Sequence, residues 1–317
     1  MKAVRIPSIG SPPELVDIEP PARGEGQVLL DVEAVALNPV DISTATGRFY
    51  GGSPPTPYVA GSEAVGRVVE ADTLAPGTRV HVARSGQGTL AERAALREEW
   101  AVPVPDEVDS VTAAAFGTAG LAGWLPVAWR TPVRPDDRVL VLGATGTSGL
   151  VALQGARLLG AAHVVAAGRR PEALERAAAL GADATVSLDE DPLADALRDA
   201  SGGDGPTLVV DPLWGPPVVA ALAAAAPGAR IVHFGQSAGA EASIPSGLVR
   251  GKGLEIFGFS NFRVPTDVWH DAYGELLDHA RADRVRLEIE TYPFERSVEA
   301  WERQAAGPGA KLVIALR

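Results

Sequence analysis

The chain has 317 residues, 46% hydrophobic and 21% charged, a globular balance with length enough for two domains. A formal net charge of −12 repels nucleic acid and acidic membrane surfaces, and the lack of any cysteine excludes disulfides, thiolate catalysis and Cys-ligated zinc. No apolar run is long enough to span a bilayer, and the opening MKAVRIPSIG lacks the apolar core of a signal peptide, so a cytoplasmic location is expected.

In chain order, residues 1 to about 110 read as β-rich. Lys2–Ile6, Val28–Ala36, Glu63–Ala71, Arg79–Ala83 and Thr89–Ala95 are short Val-, Leu- and Ala-rich runs separated by Gly, Pro and Asp clusters. The segment GGSPPTP at 51–57 is a stiff surface loop, because proline cannot donate to a sheet ladder. From about Val111 the pattern changes. A helical stretch over 111–129 leads to Val139–Leu142, a wholly apolar run suited to a buried parallel strand. Helices are then predicted over 149–160, 171–180, 190–200 and 216–226, alternating with strands over 163–167, 184–187, 207–210, 230–234 and 254–259. Such alternation is the pattern of a doubly wound parallel sheet. The rest of the chain predicts a helix (Thr266–Arg281), a strand (Arg286–Thr291), a helix (Glu295–Gln304) and a last strand (Lys311–Leu316). A terminal strand is best accommodated if it returns to the N-terminal β unit. The expected fold class is therefore α/β: a Rossmann domain over 113–261, inserted in a mostly β domain made of 1–112 and 262–317.

The first Rossmann strand runs into Gly143-Ala144-Thr145-Gly146-Thr147-Ser148-Gly149 and a helix. Gly146 allows close backbone approach to a pyrophosphate, Gly149 allows the helix to pack on the strand, and Thr147 and Ser148 open the helix whose free N–H groups would face the phosphates. Ala144 stands where the usual motif has its first glycine. The alternative is a glycine-rich turn with no ligand, and the strand–turn–helix context argues against it. At the end of the second strand, an NAD site would carry an acid for the ribose 2′-hydroxyl. Here Gly168 is followed by Arg169 and Arg170, which suit a 2′-phosphate and hence NADPH. The alternative is two solvated arginines at a helix start, a mildly unfavourable place for cations. By the rule that ligands sit beyond the carboxyl ends of the strands, Asp211–Trp214, Phe234–Ser237 and Phe259–Asn261 are further candidates.

Asn38-Pro39-Val40-Asp41, the segment Gly61-Ser62-Glu63, the glycine motif, Gly181–Asp183 and the ending Gly309-Ala310-Lys311-Leu312-Val313 together resemble the medium-chain dehydrogenase/reductase superfamily. The likeness is to its zinc-free, zeta-crystallin-like quinone oxidoreductases, and it covers essentially the whole chain. It implies that the β domain is GroES-like. Zinc-dependent members carry Cys and His where this chain has Asn38 and Ser62, and neither residue is a competent zinc ligand. The five histidines (81, 163, 233, 270, 279) show no ligand-like spacing, so no metal is expected. Without a Lewis acid, an alkoxide has no stabiliser, which favours acceptors that spread charge.

The resemblance further implies a catalytic group of Asn38, Asp41 and Tyr50. Asn38 matches a residue beside the nicotinamide whose amide would donate to a developing enolate or quinol oxygen. Asp41 matches an acid near it. The tyrosine that relatives carry after this Asp is displaced here to Phe49 and Tyr50. The simpler reading of the pair is a satisfied Asn-Pro turn with a capping Asp. Trp124 matches an aromatic facing the nicotinamide, although a tryptophan among apolar neighbours is more often core. Phe234 and Gly235 resemble the loop beneath the nicotinamide ribose, and Phe259 and Asn261 complete the expected cofactor contacts. The function implied is NADPH-dependent reduction of a quinone or an α,β-unsaturated carbonyl. Two alternatives stand beside it: an enoyl-thioester reductase of the same superfamily, and a catalytically idle NADPH-binding protein. Relatives pair their last Rossmann strands, so a homodimer is expected as well.

Overall fold

The computed structural model describes residues 1–83 and 88–316. In chain order the first strands are β1 (Lys2–Ile6), β2 (Glu14–Asp17), β3 (Gln27–Ala36), β4 (Tyr58–Val59), β5 (Glu63–Glu70), β6 (Arg79–Ala83), β7 (Arg93–Arg97) and β8 (Ala101–Pro103). Helix α1 (Pro39–Ala45) follows β3, and α2 (Ser110–Ala115) and α3 (Thr118–Leu125) follow β8. The long strand β3 alternates buried and half-buried residues, as a strand with one covered face should.

The parallel sheet is built from β9 (Arg138–Leu142), β10 (His163–Gly168), β11 (Ala184–Ser187), β12 (Leu208–Asp211), β13 (Arg230–His233) and β14 (Glu255–Gly258). Its crossovers contain α4 (Thr147–Leu158), α5 (Pro171–Ala179), α6 (Leu193–Ser201), α7 (Gly215–Ala224) and α8 (Ser246–Lys252). The order β11-β10-β9-β12-β13-β14 changes direction between β9 and β12, the doubly wound arrangement expected from the sequence. Both faces are covered. Val139, Val141, Val210 and Val232 pack with residues of α4 and α5, and Leu140, Leu142, Val209 and Ile231 pack with residues of α6 and α7.

The chain ends with α9 (Thr266–Arg281), β15 (Ile289–Pro293), α10 (Ser297–Ala305) and β16 (Lys311–Ala315). The last strand lies antiparallel to β3, pairing Val313 with Ala36 and Ile314 with Val35, as a returning terminal strand requires. It joins the sheet β15-β16-β3-β5-β6-β8, with β7 also on β3, while β1, β2 and β4 form a small separate sheet. Two packing units result: 1–119 with 265–281 and 288–317, and 120–264 with 282–287. Each has its own apolar core, the first including Leu30, Val35, Leu90, Leu312 and Ile314. Among the described residues, no helix is long and apolar enough to cross a membrane.

Candidate functional site

In the first unit, β3 delivers Asn38 to the N-cap of α1, where Pro39 takes the first helical position. Asp41, in the first turn, accepts the Asn38 backbone N–H at 2.8 Å through Oδ2. The Asn38 side chain is fully engaged. Its Nδ2 donates to Glu63 Oε1 at 2.6 Å and to the Ala36 carbonyl at 3.2 Å, and its Oδ1 accepts from Lys311 Nζ at 2.6 Å. A primary amide has two N–H groups, and both are committed. The amide that the sequence assigned to a substrate oxygen therefore has no proton left to donate in this arrangement; it serves as a bridge between an acid and a base.

Lys311 also donates to the Leu37 carbonyl at 2.9 Å and lies 3.8 Å from Glu63 Oε1. Glu63 Oε2 accepts the Thr118 backbone N–H at 2.6 Å and lies 2.9 Å from His81 Nε2. The His81 ring stacks on Tyr273 at 4.6 Å and on Trp269 at 5.6 Å, and Tyr273 donates its phenol proton to the Ala113 carbonyl at 2.8 Å. Gly117 is required here, since a Cβ would stand 2.2 Å from Glu63 Oε2. Asn38, Asp41, Glu63, His81 and Lys311 are all at most 2% exposed.

Such a cluster persists in the interior only if its charges are compensated. Burial would raise Glu63, but the His81 hydrogen bond and the Lys311 charge outweigh it and hold the carboxyl at about 2. Burial lowers Lys311, opposed by Glu63 and Asp41. Asp41 is the weakly compensated member. Burial pushes it up to about 6 against the pull of the Ser62 hydroxyl and the Asn38 N–H, and its Oδ1 lacks a well-formed hydrogen bond.

Two of the aromatic candidates have quite different surroundings. Tyr50 is 75% exposed and rests against Phe49 at 4.7 Å, on a turn closed by the Gly52 N–H to the Phe49 carbonyl. Another phenol, Tyr58, is raised to about 12 by burial and by the Asp41 charge. Trp124 is fully buried, and its ring carbons lie 3.1–3.2 Å from where a Cβ on Gly155 of α4 would stand. The glycine is a seat for the indole, which makes Trp124 a core residue of the second unit.

In the second unit the glycine turn meets the demands of a dinucleotide cradle. Gly143 leaves β9 with φ +60, and Gly146 is exposed at the N-cap of α4, with Thr147 and Ser148 half-buried after it. A Cβ on Gly149 would meet the Gly143 carbonyl at 2.3 Å, so only glycine lets α4 start this close to the strand. The Ala144 methyl, at the departing position of the motif, is buried and takes no room from the turn. Gly168 ends β10, where a Cβ would meet Thr145 at 2.5 Å. Arg169 and Arg170 follow it, both exposed, and neither has an ion-pair partner among the described residues. Gly235 passes the Pro212 carbonyl where a Cβ would be 2.4 Å away, and Phe234 and Phe259 meet edge to face at 6.2 Å. Asn261 is buried in the short turn after β14.

Sequence reasoning does not single out Glu63, His81, Thr118 and Lys311 as site residues. Three of them carry a signal in retrospect, being ionisable side chains inside apolar runs: EAVG, VHV and KLVIA.

Residues 24–106 match the alcohol dehydrogenase GroES-like domain family, and residues 149–279 match the zinc-binding dehydrogenase family. Quinone oxidoreductase-like protein 2 of Rattus norvegicus is 30% identical over 255 residues, covering 78% of this chain and 71% of its own. Quinone oxidoreductase of Homo sapiens is 27% identical, with 100% of this chain and 98% of its own covered. The quinone oxidoreductase of Thermus thermophilus, whose crystal structures include a complex with NADPH, superposes with a TM-score of 0.84 at 32% identity over the full length of both chains. On that likeness of sequence and fold, with Asn38 and Ser62 at the metal-ligand positions of zinc-dependent relatives, the chain belongs to the zinc-free quinone oxidoreductase branch of the medium-chain dehydrogenase/reductase superfamily.

Proposed function

We propose that this oxidoreductase uses NADPH to reduce a quinone or an α,β-unsaturated carbonyl, without a metal. The observation that carries the reading is the pair Arg169–Arg170, exposed and free of ion pairs among the described residues, beyond the Gly168 end of β10 in a chain whose formal charge is −12. Two guanidiniums there suit a 2′-phosphate, and no acid stands between Gly168 and Pro171 to bind a 2′-hydroxyl instead. The turn from Gly143 to Gly149 fits a pyrophosphate, because the Gly149 contact brings the open N–H groups of α4 to the strand end.

Bound NADPH supplies the hydride, and the side chains supply binding, orientation and charge. Arg169 and Arg170 hold the adenosine end, while the loop at Phe234 and Gly235 and the residues Phe259 and Asn261 shape the other end. Asn38, fixed between Glu63 and Lys311, gives the N-terminus of α1 one rigid form. Burial raises Asp41 to about 6, which brings the change of state of this carboxyl toward neutral pH. The exposed edge of β14, paired only with β13 among the described residues and bearing Ile256 at 40% exposure, supports a homodimer joined at that edge.

The test is steady-state turnover of a panel of quinones and enals with NADPH in the presence of a chelator, with primary alcohols and NADP⁺ as the control. Reduction of the acceptors with no oxidation of alcohols is the expected result. NADPH binding without turnover of any acceptor would instead make the chain an idle nucleotide-binding protein.

A further inference from the structure

At the carboxyl ends of the parallel strands, one ordered pair belongs neither to the glycine cradle nor to the buried cluster. Asp211 ends β12 and His233 ends β13. The two are register partners on parallel strands, so they project from the same sheet face as Val209 and Ile231. Asp211 is completely buried and three donors converge on it. The N–H groups of Leu213 and Trp214 both reach Oδ1 at 2.9 Å, and His233 Nδ1 reaches Oδ2 at 2.8 Å. A carboxylate can only accept, so Nδ1 carries the proton and the imidazole is held by that end. The His233 side chain is 26% exposed, and its Nε2 has no partner among the described residues.

A second observation concerns the turn that follows. Trp214 is one of two non-glycine residues with positive φ among the described residues, at 56°, a conformation costly for a bulky side chain and typically kept where a site needs it. The Leu213 and Trp214 N–H groups tie this turn to Asp211, and the indole lies against the imidazole with ring centroids 4.2 Å apart. The same turn is continuous with the glycine cradle. Leu213 bounds Gly143 and accepts the Ala238 N–H at 2.9 Å, and the Pro212 carbonyl bounds Gly235. An oriented, partly exposed imidazole thus stands beyond the carboxyl ends of the strands, beside the turn that bounds the glycine cradle, where a ligand of such a sheet is expected.

We propose that His233, oriented by Asp211 and covered by Trp214, binds a ribose hydroxyl of the nicotinamide nucleoside through Nε2. This deepens the proposed cofactor reading and rests on it. A hydroxyl is the fitting partner because it both donates and accepts, matching Nε2 whether the imidazole is neutral or protonated. An ionised phosphate only accepts, and the Asp211 carboxylate beside it opposes an anion. Asp211 and Trp214 act as positioning residues for His233.

Calorimetric titration with two probes tests this: NADPH, and adenosine 2′,5′-bisphosphate, which has the 2′-phosphate half but no nicotinamide ribose. His233→Leu should weaken NADPH about tenfold, the loss of one well-placed hydrogen bond, and leave the bisphosphate unchanged. His233→Gln should recover part of the loss, since its amide can meet a hydroxyl, and it carries the test alone should His233→Leu fail to fold. Unchanged NADPH affinity in both variants, or equal weakening of both probes, would overturn the proposal. Wild-type protein that binds neither probe would remove the cofactor reading itself, and this role of His233 with it.

Discussion

Lys311 carries a positive charge into an interior that also holds Glu63 and Asp41, where its charge adds to the His81 hydrogen bond in keeping Glu63 ionised. Lys311→Met removes the cation and leaves Glu63 with less compensation. The expected cost is about 3–5 kcal/mol, read by urea denaturation. Asp41 and Glu63 predict opposite pH responses. Glu63 is held below its ordinary value, so its stabilising contribution is present above about 4.5 and fades as pH falls toward about 2. Asp41 is raised to about 6, so its favourable state is the protonated one, complete below about 4 and lost as pH rises through about 6. Asp41→Asn keeps an acceptor for the Asn38 N–H and removes the buried charge. It should raise stability at pH 7 by at most about 3 kcal/mol and flatten the melting profile between pH 4 and 6. An unchanged slope in that window would mean that Asp41 does not titrate there. The limit of sequence reading is plain at this scale. The charged partners of the Asn38 side chain, Glu63 and Lys311, lie 25 and 273 residues away along the chain, beyond any local pattern.

Where the constraint is local, the elements were legible. The glycine turn, α4 and the charge pair after β10 depend on residues within a few positions of each other, and α9 begins and ends where its amphipathic pattern does. The stretch predicted as one helix over 111–129 breaks into α2, α3 and a wider turn over Pro126–Arg130; the second break falls at Pro126, which has no N–H to continue the ladder. Sequence patterning does not predict strand β2 or helix α8, since each is short and none of their residues is fully buried. Gly149 is the element-scale test. Gly149→Ala puts a methyl into the Gly143 carbonyl and must push the start of α4 away from the strand. A stability loss of about 1–3 kcal/mol and a parallel fall in NADPH affinity are expected, from thermal melts and titration on the same sample. Loss of stability with intact affinity would separate the turn from the cofactor.

For the whole molecule, the discontinuous architecture follows from one pairing, β16 on β3, which ties the end of the chain to its beginning around the Rossmann unit. That return was foreseeable because an apolar terminal strand needs a partner sheet; which strand receives it was not. At the other end of the scale, the β14 edge predicts a particle of twice the chain mass by light scattering at micromolar concentration, and a monomer would remove the edge-pairing proposal. The central claim concerns the cofactor. The most direct measurement is fluorescence titration of the protein with NADPH and NADH, repeated on the double variant Arg169→Ala, Arg170→Ala. Two guanidiniums on one phosphate predict tighter binding of NADPH by at least about tenfold, with the preference abolished in the variant while NADH is unaffected. Equal affinity for the two nucleotides in the wild-type protein would contradict it.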